Sequence, residues 1–367
     1  MEYFFNNNND RMRKHLYSLL LLFSAALMFT ACSDDDNNNE VIDPLTYAHL
    51  IFTAGAGNYN QNNGTVGTID ADASGKFTYS DIYTATNGKG IGDAQDVLPL
   101  YKQIYVASTT SSKIEILSET GKVEKTINRP GVQFRYLATD YDHVYVSAYN
   151  GYIYKLTNGS ITDSVKVGGD PEAMSVANGK LYVNMSDYTY NNSGKSISVV
   201  DLKSFTKTKE ISCELNPYNQ SVAVGNKVYF VSVYHSDQDG ALQCIDATTD
   251  KITNTGVKAS AISYDKQGNS LVCLLTGYDA NWTLSVKSFF RYSLNDGKTT
   301  ELDHSKFTSP QQVNVDPLTG RIFVIDNPSY SAPSVLYIYD KSGNYEQGGI
   351  QLGYSVQNIR FYAEAYK

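Results

Sequence analysis

The side chains through which this 367-residue chain could act are five histidines, scattered carboxylates and an unusually large set of tyrosines. His15 lies in a basic N-terminal stretch, and His49, His143 and His304 sit beside strand-like or turn-like runs, so His235 is the one histidine in a long polar loop. Nucleophilic or metal-assisted hydrolysis needs a reactive group held beside its base or metal, and no GxSxG, HExxH or glycine-rich phosphate loop occurs. Asp93, Asp96, Glu172 and Asp316 would serve as an acid and base pair only if the fold brought them to one centre. Beyond Cys32 the cysteines are Cys213, Cys244 and Cys273, an odd number without CxxC spacing, which reads as small core residues and no metal site. The expectation is a protein that is not an enzyme and needs no cofactor, with a lyase or hydrolase as the alternative.

Binding chemistry has more behind it. Tyr149, Tyr188, Tyr234, His235, Tyr278 and Trp282 fall in loops that follow strand-like runs. Asp93, Gln95, Phe134, Arg135, Glu172, Tyr218, Asn219, Gln220, Gln311, Gln312, Tyr354 and Gln357 fall where other such runs begin. Rings in polar loops offer contact area at little rotamer entropy, and Asn or Gln can both donate to and accept from a ligand that carries amides. The competing reading is compositional, since many of the 30 tyrosines must be core.

What would position these residues is a repeat. Short apolar runs recur at Leu50-Ile51-Phe52, Ile104-Tyr105-Val106, Val144-Tyr145-Val146, Leu181-Tyr182-Val183, Val228-Tyr229-Phe230, Leu271-Val272-Cys273 and Ile322-Phe323-Val324. Their mean spacing is about 45 residues, the length of a four-stranded propeller blade. Each is followed by an alternating strand such as Ile197 to Asp201, then by a Thr/Lys-rich strand such as Phe205 to Ile211, polar on alternate positions as an outer edge should be. Inner strands precede the apolar runs, most clearly at Pro171 to Ala177, Pro217 to Ala223 and Pro310 to Asp316. The first repeat has none, whereas the chain finishes with an unpartnered strand, Val356 to Phe361. The prediction is an all-β, seven-bladed β-propeller over residues 47–367, closed by that C-terminal strand pairing into the first blade. Blade strands alternate in direction, so the ring-bearing loops and the starts of the inner strands must share one face.

Composition agrees. Charged residues make up 19% of the chain, with 14 Phe, 1 Trp and 27 Gly beside the tyrosines, a strand-and-turn mixture rather than a helical or disordered one. The formal net charge is −8, which argues against a nucleic-acid partner.

At the N-terminus, Arg13, Lys14 and His15 precede the 14-residue, mostly apolar run Leu16 to Phe29, which ends in Phe29-Thr30-Ala31-Cys32. The run is short for a membrane span, and small residues before the cysteine suit a signal-peptide cleavage site. The arrangement resembles a bacterial lipoprotein lipobox, and Ser33-Asp34-Asp35-Asp36 resembles the acidic surface-export tag of Bacteroidetes lipoproteins. The resemblance implies a signal peptide over residues 1–31, a lipid anchor at Cys32, a polar tether over residues 32–46, and a place on the extracellular face of the outer membrane, with Met12 an alternative start.

Lys180-Leu181-Tyr182-Val183-Asn184 followed by Ile197-Ser198-Val199-Val200-Asp201 resembles the YVTN repeat of YncE-like propellers. With Gly92-Asp93-Ala94-Gln95-Asp96, Gly168-Gly169-Asp170-Pro171-Glu172 and Leu215-Asn216-Pro217, the chain resembles the BtuG-type cobalamin-capture lipoproteins. That resemblance implies a corrinoid ligand, vitamin B12 or a relative, and a TonB-dependent transporter as partner. A surface glycan receptor stacking on Trp282, a haem receptor and a protein-interaction propeller are the alternatives.

Overall fold

In a computed structural model, residues 46–366 are described, apart from 187–193, 215, 234–239, 279–283 and 330, and apart from the side chains of 46–48 and 363–366. The described strands form seven antiparallel sheets of four strands each. The seven apolar runs are the second strands, among them Val144–Ala148 and Ile322–Asp326, buried at every position. A second strand lies between neighbouring blades, so both of its faces are covered, which is why it reads as an apolar run rather than as an alternation. Fourth strands such as Thr206–Ser212 are largely exposed and carry the Thr/Lys pattern.

Inner strands pack side by side around the complete circuit, including the C-terminal strand Val356–Tyr366 between the inner strands Pro310–Val315 and Asp96–Leu100. That C-terminal strand pairs antiparallel with Thr46–Gly55 from Thr46↔Tyr366 to Gly55↔Val356 and closes the ring as the sequence predicts. Seven apolar clusters lie between adjacent blades. Phe52, Val66, Ile104 and Leu117 share one between the first and second blades, and Phe323, Leu336, Ile51 and Ile359 share one between the seventh and first. Outside the apolar seam, the Gln347 side-chain amide exchanges two hydrogen bonds of 2.8 Å with the backbone N–H and C=O of Phe77, latching the last blade to the first.

One element departs from the expected pattern. Ile82–Asn87 is a helix wedged between the first two blades, capped by Asp81, whose carboxylate accepts from Thr84 N–H at 3.1 Å, and ended by Gly88 at φ 71°. Its buried Tyr83 donates to Glu115 at 3.1 Å. No helix among the described residues is long and apolar enough to cross a membrane.

Candidate functional site

The inner strands are irregular where they begin, and this irregularity builds the site. In the third blade Phe134 pairs with Ala148 and Leu137 with Val146, so Arg135 and Tyr136 together face one partner residue. Glu172 and Ala173 do the same between Pro171↔Met185 and Met174↔Val183. In the fifth blade Tyr218, Asn219 and Gln220 bulge between Pro217↔Ser232 and Ser221↔Phe230. Gln311 and Gln357 are the extra residues in the seventh and first blades. A bulge turns side chains out of strict alternation. Five bulges at one end of the ring therefore aim polar groups at a common mouth.

Arg135 and Glu172 are the buried ion pair of this mouth. Arg135 Nε lies 3.1 Å from Glu172 Oε2, Nη2 lies 3.3 Å from Oε1, and Nη1 donates to Gln95 Oε1 at 2.8 Å. The guanidinium stacks over the Tyr149 ring at 4.6 Å and near that of Tyr136 at 5.4 Å, Tyr149 donates to Glu172, and Gln95 Nε2 donates to the Tyr136 hydroxyl at 3.2 Å. Burial opposes the charge on Arg135, but Glu172 outweighs it and holds the guanidinium protonated. Burial pushes the Glu172 carboxyl up against the opposing pull of Arg135 and Tyr149, and pushes the Tyr136 and Tyr149 phenols up. The unit is a preorganised platform of neutral hydrogen-bonding groups around one paired charge.

Below it, Gln220 Nε2 donates to Gln312 Oε1 at 2.6 Å while Gln220 Oε1 accepts from Ile262 N–H at 3.3 Å. Asn219, Gln220, Gln312 and Gln357 line the central channel with Tyr136, Asn314, Asn358 and Arg360. The channel has room for about 100 Å³ of water. Pockets that engulf a small ligand run to about 300–1,000 Å³. A large ligand must therefore lie across the mouth rather than enter the channel.

The remaining expected residues are placed less uniformly. Tyr218 is half-buried and lies near Arg135 and Tyr149. Gln311 and Tyr278 are exposed, Tyr278 at the end of its strand on the same face. Tyr354 is half-buried, with its carbonyl accepting from Gly57 N–H at 3.0 Å. Phe134 is wholly buried in the core between the second and third blades. Asp93 caps a turn: its two carboxylate oxygens accept from the N–H groups of Thr109, Thr110 and Ser111 and from the Ser111 hydroxyl, at 2.6–2.9 Å. Tyr188, Tyr234, His235, Trp282 and Cys32 lie outside the described residues.

The four carboxylates considered as acid and base are each tied to partners of their own. Asp93 caps its turn, Glu172 holds Arg135, Asp96 meets Arg360, and Asp316 lies 3.0 Å from His49 Nε2. Cys273 is buried, with Cys213 and Cys244 half-buried, all three as free thiols. Burial pushes the Cys213 thiol up to about 12, which suppresses its thiolate.

Sequence reasoning missed Tyr136, Asn314 and Arg360. The signal for the bulges was present as Pro or Gly-Gly ahead of the inner strands, in Gly168-Gly169-Asp170-Pro171 and Asn216-Pro217.

No family model matches the sequence, and no curated protein matches it. Solved structures resemble it closely in shape. A Lactobacillus plantarum protein, 18% identical, superposes with a TM-score of 0.63 over 86% of this chain and 100% of its own. A putative 6-phosphogluconolactonase from Bacteroides uniformis gives 0.64 at 12% identity over 86% and 99%, and one from Bacteroides fragilis gives 0.63 at 12% over 89% and 100%. At such identities the likeness establishes the propeller alone.

Proposed function

We propose that this propeller is a lipid-anchored, cell-surface capture protein that takes a corrinoid across its mouth and hands it to a TonB-dependent transporter. The observation that carries the reading is the set of five inner-strand bulges, which turn amides and tyrosines toward one opening above a channel too narrow to admit a large ligand. A corrin is a broad, rigid disc fringed with amides. Tyr149 and Tyr218 offer ring surface to its face, and Asn219, Gln311 and Gln357 offer donors and acceptors to its rim, with little ordering cost on either side. Such binding requires no bond to be made or broken.

Absorbance titration with cyanocobalamin, haemin and a panel of soluble glycans tests the reading. A saturable corrinoid shift without one for haemin supports it. Saturation by haemin or a glycan alone overturns the ligand class, and silence with all three overturns small-molecule capture in favour of a protein partner or an enzyme.

A further inference from the structure

On the face opposite the mouth, the hairpins between first and second strands show an anomaly. In the second blade Tyr101 and Lys102 occupy the two-residue turn between Leu100 and Gln103 with φ of 47° and 64°, and in the third blade Tyr141 stands at φ 75°. Left-handed backbone of this kind favours Asn and Gly. The fourth blade obeys that preference at the same place, with Asn178 and Gly179 at φ 50° and 69°. The two tyrosines gain little packing in return, being 59% and 69% exposed. Bulky rings held in unfavourable backbone and turned to solvent point to a contact outside the domain.

The path of the chain says which contact. Thr46 pairs with Tyr366 at the far end of the C-terminal strand, so the polypeptide enters the propeller on this same face, at the first blade. The first blade adjoins the second and the second adjoins the third, which sets the Tyr101 hairpin one blade and the Tyr141 hairpin two blades from the point of entry. Thirteen residues separate Cys32 from Thr46, a reach of at most about 50 Å. Tyrosine, with an apolar ring and a polar tip, is the side chain that settles at lipid headgroups, with lysine as its usual companion.

We infer that Tyr101 and Tyr141, with Lys102, form a lipid-surface contact that rests this face of the propeller on the membrane. The inference rests on the reading of Cys32 as a lipid anchor, which holds the face near the bilayer at high effective concentration.

Hydrogen exchange on the full chain, with and without phosphatidylethanolamine/phosphatidylglycerol vesicles, tests the contact. Amides of residues 100–103 and 140–144 should exchange about fivefold more slowly with vesicles, while the fourth-blade turn at 178–179 is unchanged. Tyr101→Asn with Tyr141→Asn suits the backbone, so the double variant should melt no lower than the parent yet lose the protection. Tyr101→Phe with Tyr141→Phe should keep it. Absence of protection in the parent, or equal protection in the Asn variant, overturns the inference. Mass spectrometry of Cys32 decides the anchor separately: a thiol without acyl chains sinks the anchor reading, and hairpin protection still decides the contact.

Discussion

Arg360, on the C-terminal strand, places Nη2 3.1 Å from Oδ2 of Asp96, which is fully buried on the inner strand of the second blade. The same carboxylate accepts from Asn358 Nδ2 at 2.9 Å, from Leu137 N–H of the third blade at 2.9 Å and from Val97 N–H at 2.9 Å. One aspartate thus ties three consecutive blades together at the closure. Asp96→Ala should cost about 3–5 kcal/mol, because Arg360 and two buried backbone donors lose their acceptor. Urea unfolding measures it, and a loss under about 1 kcal/mol would show that closure rests on apolar packing alone.

Asp250 performs a similar task between the fourth and fifth blades. It lies 2.8 Å from Lys180 Nζ and 2.7 Å from Lys209 Nζ, and Tyr182 donates to it at 2.5 Å. Burial opposes the charge, but these donors win and hold its carboxyl at about 2. A depressed carboxyl stabilises the fold above its unfolded value near 4, and that stability is lost as pH falls from about 4 through 2. Allowing for the solvent exposure of Lys209, about 1–2 kcal/mol is at stake. Asp250→Asn should flatten this part of the acid limb in a pH series of thermal melts, and an unchanged limb would refute the assignment.

The buried pair at the mouth should behave as a unit. Glu172→Gln leaves Arg135 charged and uncompensated and should destabilise by about 3–5 kcal/mol. The double replacement Arg135→Met with Glu172→Gln removes both charges and should recover much of this, giving a coupling above about 2 kcal/mol in a double-mutant cycle with the two single variants. Additive losses would mean that the two side chains do not depend on each other.

Ligand capture separates from stability at neighbouring positions. Tyr218→Ala with Gln311→Ala should weaken cyanocobalamin binding about tenfold, near 1.4 kcal/mol, without lowering the melting temperature. Gln220→Ala should lower the melting temperature, since its amide bridges Gln312 and Ile262 N–H across the channel. Unchanged affinity in the first variant removes Tyr218 and Gln311 from the site.

The ring was legible because its causes are local and repeated. Each run such as Val144-Tyr145-Val146 is apolar at consecutive positions because blades cover both faces of the strand, and the strand from Val356 stood without a partner within its own stretch of sequence. The face was legible too, because strand alternation fixes which loops share a side. Helix Ile82–Asn87 was not, as six residues are too few to show a period.

Individual site residues were the hard part. Asp93 and Glu172 both precede or open an inner strand and look alike in sequence, yet one caps a turn at 109–111 and the other holds an arginine from the preceding blade. Phe134 and Arg135 are neighbours, and a bulge sends one into the core and the other to the mouth.

Sequence by itself determined the architecture: seven blades, one closure and a shared face follow from the period and direction of strands, which are properties of the backbone and its hydrophobic pattern. Only the tertiary structure decided which side chains converge, because register slips of one or two residues at the inner strands choose their direction, and because partners that satisfy these polar groups come from blades some 40 residues away.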